Sequence, residues 1–309
     1  MSEDTLQRYN EAFRSCRLCP RACGADRSAG KKGFCGATAE MRIARAALHF
    51  WEEPCISGTE GSGTIFFSGC GLGCVFCQNH EISGRVRELP GKVVSPAELS
   101  EYFFRLKDEG ANNINLVTAD IYIPSVAEAV RIAKDQGFDL PFVFNTGSYI
   151  TVESLKILEG LTDIYLPDAK FYSEKTAKRY AAAPDYARVS KAAIAEMVRQ
   201  CGECVFDEKG LMKRGVIIRH LLLPGRLLEA KLILQELWKA YGDRVWFSLL
   251  WQYTPLSSLP DGFPELERRV YQREYKELCD HADKLGIRNA WVQEEGCAEE
   301  DFIPEFNLR

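Results

Sequence analysis

No apolar run in the sequence reaches the roughly 18–20 residues needed to span a bilayer. Excess positive charge is missing too: 39 Lys and Arg stand against 44 Asp and Glu, a net charge of −5. Phosphate binding needs a basic surface, and no Lys/Arg cluster is interleaved with aromatics, so nucleic acid is not expected as a partner. The opening stretch MSEDTLQRYNEAFRSC is polar and acidic, unlike a secretory signal. Neither sequence repeats nor low-complexity tracts occur. These absences lead to the expectation of a cytoplasmic protein without membrane contact. Its 309 residues suffice for one large α/β domain with an appendage, or for two domains.

What the chain has in abundance is cysteine, twelve in all. A reducing compartment does not sustain a disulfide framework. Cysteines that serve only as small apolar residues should be scattered. Here seven of the twelve fall in two groups, Cys16, Cys19, Cys23 and Cys35, then Cys70, Cys74 and Cys77. Clustering of this kind points to metal. Cys201 and Cys204 form a looser pair, readable as a redox couple or as two incidental thiols, while Cys55, Cys279 and Cys297 stand alone.

Beyond residue 60, short β-rich runs alternate with amphipathic stretches. The runs are TIFFSG (64–69), NINLVTA (113–119), PFVFN (141–145), DIYLPD (163–168), GVIIRHLLL (215–223) and RVWFSLLW (244–251). They are nearly continuous apolar segments, as parallel strands covered on both faces should be. The stretches between them read as helices. SPAELSEYFFRLKDEG opens with a capping box, Ser95 and Glu98, has Pro96 at the first helical position, and closes at Gly110. IPSVAEAVRIAKDQG, TVESLKILEG, SEKTAKRYAAAPDYARVSKAAIAEMVRQ, RLLEAKLILQELWKAYG and FPELERRVYQREYKELCDHADKLG follow. Six βα units imply a parallel sheet, either doubly wound or curled towards a barrel. Residues 1–60, rich in Cys, Arg, Gly and Ala, read as a separate N-terminal module, and residues 61–309 as the main domain.

Cys70, Cys74 and Cys77 follow the first of these strands directly, at the end where α/β folds place their ligands. Gly69, Gly71 and Gly73 let the backbone wrap closely there. Thiolates in a reduced cytosol select zinc or iron–sulfur. A structural zinc site needs four protein ligands, and a distant cysteine such as Cys55 would have to complete it. Three ligands on a 4Fe–4S cube leave one iron open to an outside molecule.

The C-x3-C-x2-C spacing, with Phe76 just before the third cysteine, resembles the radical S-adenosylmethionine (SAM) superfamily. That resemblance implies a 4Fe–4S cluster on Cys70, Cys74 and Cys77, with SAM chelating the open iron. It also implies reductive cleavage to a 5′-deoxyadenosyl radical that takes hydrogen from a substrate. The implied fold is a partial (βα)6 TIM-like barrel with its site at the C-terminal mouth of the strands. Phe76 would then wall the adenine.

DIYLPDAKF is similar to the D-x-K segment of the pyruvate formate-lyase activating enzyme, which places Asp168 and Lys170 near SAM. VIIRHLLLPG is similar to a strand of that enzyme and carries Arg219 across as a contact to the SAM carboxylate, which a guanidinium suits by donating in a fork. The alternative is a surface ion pair for Asp168 and Lys170 and a strand-end salt bridge for Arg219. Many superfamily members carry a Gly-Gly-Glu turn after the second strand that binds the SAM amino group; here Thr118, Ala119 and Asp120 stand in its place. A backbone carbonyl or Asp120 must hold the amino group instead, and Thr118 is read as cofactor-binding. Asn145 and Thr146 end the third strand at the same mouth. His80 reads as a hydrogen-bonding neighbour of the cluster, without catalytic assignment.

The N-terminal C-x2-C-x3-C-x11-C set offers four thiolates, enough for zinc or for a second iron–sulfur cluster. With CVFCQNHEIS it resembles a subfamily of activating-enzyme homologues carrying Cys-Leu-Cys-Pro-Arg ahead of the cluster loop. The resemblance implies an anaerobic oxidoreductase that activates a glycyl radical enzyme, with flavodoxin or ferredoxin as electron donor. A small molecule or peptide is the alternative substrate. A non-catalytic iron–sulfur electron carrier or redox sensor is the alternative of another class.

Overall fold

Every one of the six apolar runs folds as a strand. The computed structural model describes residues 11–84, 86, 88–257, 259–293 and 306. In chain order the strands are β1 (Arg42–His49), β2 (Ser62–Phe67), β3 (Lys92–Val93), β4 (Ile114–Val117) and β5 (Phe142–Thr146). They continue with β6 (Ile164–Pro167), β7 (Val205–Phe206), β8 (Met212–Leu221), β9 (Trp246–Leu250) and β10 (Ala290–Val292). The sheet order is β10-β9-β8-β6-β5-β4-β2-β1-β3, with β7 paired antiparallel to β8. From β2 to β10 all neighbours on this path run parallel. Among the described residues the two ends of the path, β10 and β3, do not pair, so the sheet is a partial, open barrel.

The residues of β2, β4, β5 and β6 are buried throughout, because helices cover one face and the curled sheet encloses the other. The helix Pro96–Asp108 starts at the expected capping box: the Glu98 amide donates to Ser95 Oγ at 3.2 Å, and the Ser95 amide to Glu98 Oε2 at 2.8 Å. Helices Ile123–Asp135, Val152–Lys156, Leu227–Tyr241 and Gln272–Leu285 also fall in expected stretches. The long stretch from Ser173 splits into Glu174–Ala181 and Tyr186–Cys201. Ala182 turns into the left-handed region at φ 50°, and Pro184 cannot donate to a continuing helix.

Four strands were not foreseen. β3 and β7 have two residues each, and β10 has three on the edge of the sheet. β1, RIARAALH, lies inside the stretch read as the N-terminal module, yet it pairs antiparallel with β2 from Ile43 to His49. Residues 42–49 are therefore continuous with the barrel sheet. Upstream of them, Phe13, Cys16 and Leu18 form a small core of their own. Arg21 fastens this segment to the barrel, donating to Gly71 O at 3.0 Å, Leu72 O at 3.1 Å and Ala181 O at 2.8 Å.

Candidate functional site

The cysteine loop leaves β2 through Gly69, whose φ of 97° favours glycine. A Cβ there would also stand 3.0 Å from Cys35 O. Cys74 is buried, and Cys70 and Cys77 are half-buried. All three line one cavity of about 250 Å³ at the C-terminal ends of the parallel strands. Burial pushes the Cys74 thiol up to about 12, with the Cys77 and Cys70 thiols adding to the rise, and burial also raises that of Cys70. The thiolate is the metal ligand, so binding here must displace protons.

The donor set fits a polynuclear cluster better than one ion. Three thiolates on a single zinc, at bonds of about 2.3 Å, would stand about 3.8 Å apart. Among the described residues no group of three His, Cys, Asp or Glu is arranged to hold a single ion. A cube spreads its ligands over separate irons. Cys55 does not supply a fourth ligand: it packs with Val143, Ile164 and Cys204 and is not among the cavity-lining residues.

Opposite the thiols lies a charged network. Arg219, on β8, donates from Nε to Asp168 Oδ1 at 3.0 Å, from Nη1 to Glu52 Oε2 at 3.2 Å and from Nη2 to Asn145 Oδ1 at 2.6 Å. Lys170 Nζ donates to Asp168 Oδ2 at 2.6 Å. The three expected residues thus meet at one point, with Asp168 between two cations. Burial opposes its charge, but Arg219 and Lys170 hold its carboxyl below the usual range. For Lys170, burial is outweighed by Asp168 and the Cys74 thiolate, and its pKa is raised.

Glu52 was missed in the sequence. Its side chain is 10% exposed and also accepts from Asn115 Nδ2 at 2.9 Å. Burial, partly offset by Arg219, pushes its carboxyl up. It sits in the turn after β1, and no local pattern marks it. His49 and Trp51, on either side of Phe50, line the same cavity.

Thr118 adopts φ 60°, a left-handed conformation natural to glycine, where the family pattern places one. Asp120 is buried, accepts from the Thr146 hydroxyl, and is pushed up to about 6, chiefly by burial. Thr118, Asp120 and Asn145 all line the cavity; so does Phe76, which packs edge-on against Phe171, Tyr180 and Tyr253. His80 is not among the lining residues. The Cys201 and Cys204 thiols donate to the carbonyls of Asp163 and Val216, away from the cavity. Cys297 lies outside the described residues.

The four N-terminal cysteines lie near one another, with Cys19 beside Gly71 of the cysteine loop. Burial pushes the Cys19 thiol up to about 12, with Cys35, Cys16 and Cys23 adding to the rise. Cys19 also lines the cavity.

An open parallel barrel with a loop thiol triad facing a charged cavity at its strand ends defines an enzyme of the cluster-bearing barrel class. The family model described as the radical SAM superfamily matches residues 64–237, and the chain belongs to that superfamily. Its cofactors are accordingly a 4Fe–4S cluster and SAM. The chain is similar to an uncharacterized protein of Methanocaldococcus jannaschii, 26% identical over 279 residues, covering 89% of this chain and 76% of that one. Its fold is similar to that of a radical SAM methyltransferase from Sphaerobacter thermophilus, with 17% identity and a TM-score of 0.52 over 76% of this chain and 67% of the other. Among the described residues, no helix is long and apolar enough to cross a membrane.

Proposed function

We propose that Cys70, Cys74 and Cys77 ligate the 4Fe–4S cluster and that the enzyme activates a glycyl radical enzyme by taking hydrogen from a glycine of that partner. One observation carries the cluster and SAM part of this reading: the three loop thiols, the Asp168–Lys170 pair and Arg219 line one cavity. When bound, the reduced cluster supplies one electron to the SAM sulfonium, giving methionine and a 5′-deoxyadenosyl radical. Three protein thiolates leave a coordination place for the amino and carboxylate groups of SAM. Arg219 would be the carboxylate's partner; three of its five N–H groups are held by protein acceptors, which fixes the guanidinium in place. Asp120 would hold the amino group, with Thr118 and Asn145 beside it. Phe76 would wall the adenine, and Leu72, Leu221 and Leu250 would help exclude water.

A protein substrate is favoured by the cavity's rim. Phe50 and Trp51 are 50% and 62% exposed, next to the cavity-lining Glu52. Adjacent exposed aromatics suit the docking of another chain. Flavodoxin or ferredoxin would supply the electron. The reading is tested by anaerobic incubation of the reconstituted enzyme with SAM and candidate glycyl radical enzymes, followed by electron paramagnetic resonance. A glycyl radical signal on a partner is expected. Formation of 5′-deoxyadenosine with a modified peptide or small molecule, and no glycyl signal, would move the substrate to that class. Intact SAM on a fully loaded cluster would leave an electron carrier.

A further inference from the structure

Arg27 has 1% of its surface exposed, and every acceptor that the described residues give it is neutral. Its guanidinium donates to Ala37 O at 3.2 Å, Ile121 O at 2.7 Å and Thr38 O at 2.7 Å. Nη1 also points at Cys16 Sγ, 3.6 Å away. The rings of Phe13 and Tyr122 lie 4.9 and 5.5 Å from it. A buried cation without an anion is costly, and carbonyls return only part of its lost hydration. Beside it, apart from the Tyr122 phenol, the groups that can become anionic are the Cys16 and Cys35 thiols. A set of four cysteinates on a metal centre carries the net negative charge that none of its described acceptors supplies.

The same thiols adjoin the SAM-cluster loop. Built on Gly71, a Cβ would lie 3.3 Å from Cys19 Sγ, so the absence of a side chain next to Cys70 is what lets Cys19 approach. Arg21 holds the carbonyls of Gly71 and Leu72 from the N-terminal side. Around Gly33, Cys23 and Cys35 come together: a Cβ there would stand 3.0 and 3.6 Å from their sulfurs. Cys16 and Cys35 are buried, Cys19 is half-buried and Cys23 is exposed, so the set runs from solvent to the loop. Zinc has no redox chemistry to offer at such a place.

We propose that Cys16, Cys19, Cys23 and Cys35 ligate a second, iron–sulfur cluster, with Arg27 as its built-in counter-ion, that relays electrons to the SAM cluster. A low-potential one-electron carrier protein reduces it from the Cys23 side. The same electron then passes across the Cys19–Gly71 contact, and no bond is made or broken. The relay, though not the second site itself, rests on the assignment of Cys70, Cys74 and Cys77.

The test compares wild type, a Cys16→Ala/Cys35→Ala double variant and a Cys70→Ala/Cys74→Ala/Cys77→Ala triple variant after anaerobic reconstitution. Iron, sulfide and zinc per chain are counted, and the reduced proteins are examined by electron paramagnetic resonance. Two cubes give about eight irons in wild type and about four in each variant. In the triple variant the remaining signal should be unaffected by SAM. A triple variant with one zinc and no iron, or with no metal and a native circular dichroism spectrum, would overturn the second cluster. A wild type with about four irons, all kept in the triple variant, would instead overturn the loop assignment and leave the second cluster standing. Arg27→Gln should lower the midpoint potential of the SAM-insensitive signal, because losing a cation disfavours the more negative reduced state; Arg27→Lys should restore it. An unchanged potential at full iron content would remove Arg27 as counter-ion. With a protein donor, the double variant's loop cluster should be reduced more slowly than wild type's, while with dithionite both should be reduced alike. Equal rates with the protein donor would overturn the relay.

Discussion

Arg219 and Asp168 meet across the ends of β8 and β6, Nε to Oδ1 at 3.0 Å, and their backbones form an isolated parallel bridge at the same place. The ion pair thus closes the sheet's ladder at the point where the cavity begins. With the Asp168–Lys170 contact at 2.6 Å, it makes one carboxylate the anchor for two cations.

Asp168→Ala should therefore do more than remove a contact. Arg219 keeps Glu52, but Lys170 loses its carboxylate, and the side chains of Arg219 and Asp168 are only 15% and 18% exposed. Loss of one partner from a largely buried network costs on the order of 3 kcal/mol. Urea unfolding of the apoprotein near neutral pH measures it; a loss below about 0.5 kcal/mol would mean the pairs behave as exposed ones.

Glu52→Gln should separate stability from binding. The side chain keeps an acceptor for Asn115, and because burial pushes the Glu52 carboxyl up, removing its charge should leave stability near neutral pH unchanged or raised. The SAM carboxylate and Glu52 compete for the same guanidinium, so binding of SAM to the reconstituted protein should tighten by about tenfold. Calorimetry of SAM binding checks this; weaker binding would place Arg219 away from the carboxylate.

Asp120→Asn tests a titration. The Asp120 carboxyl is pushed up to about 6 by burial, so the folded chain holds this proton more tightly than the unfolded one, whose pKa is near 3.9. Stability then falls as pH rises from about 4 to about 6 and stays reduced above that. Asparagine removes the titration and keeps an acceptor for Thr146. The apo variant should melt above wild type near pH 8, with the difference shrinking through about pH 6 and gone near pH 4. A difference independent of pH would contradict the shift.

Much of the barrel was legible because its signals are local. The six apolar runs, the Ser95–Glu98 box and the loop triplet each lie within a few residues of sequence. β1 was hidden because Arg42 and Arg45 interrupt a run of small residues, and its antiparallel partner β2 decides its state. β10 is too short for a periodicity to register. Asp168, Lys170 and Arg219 were found through resemblance to known segments. Glu52 was not, because its role arises only when the turn after β1 comes beside β8, 167 residues away in sequence. The same holds for Arg27, whose neutral acceptors among the described residues are a property of packing, not of spacing.

The most direct test of the loop thiols as the seat of SAM cleavage is the yield of 5′-deoxyadenosine from anaerobically reconstituted, dithionite-reduced protein supplied with SAM, compared with Cys74→Ala. Wild type should form the product, and Cys74→Ala, lacking one of three cluster ligands, should form none. Intact SAM recovered from fully loaded wild type, or equal yields from both proteins, would contradict the assignment.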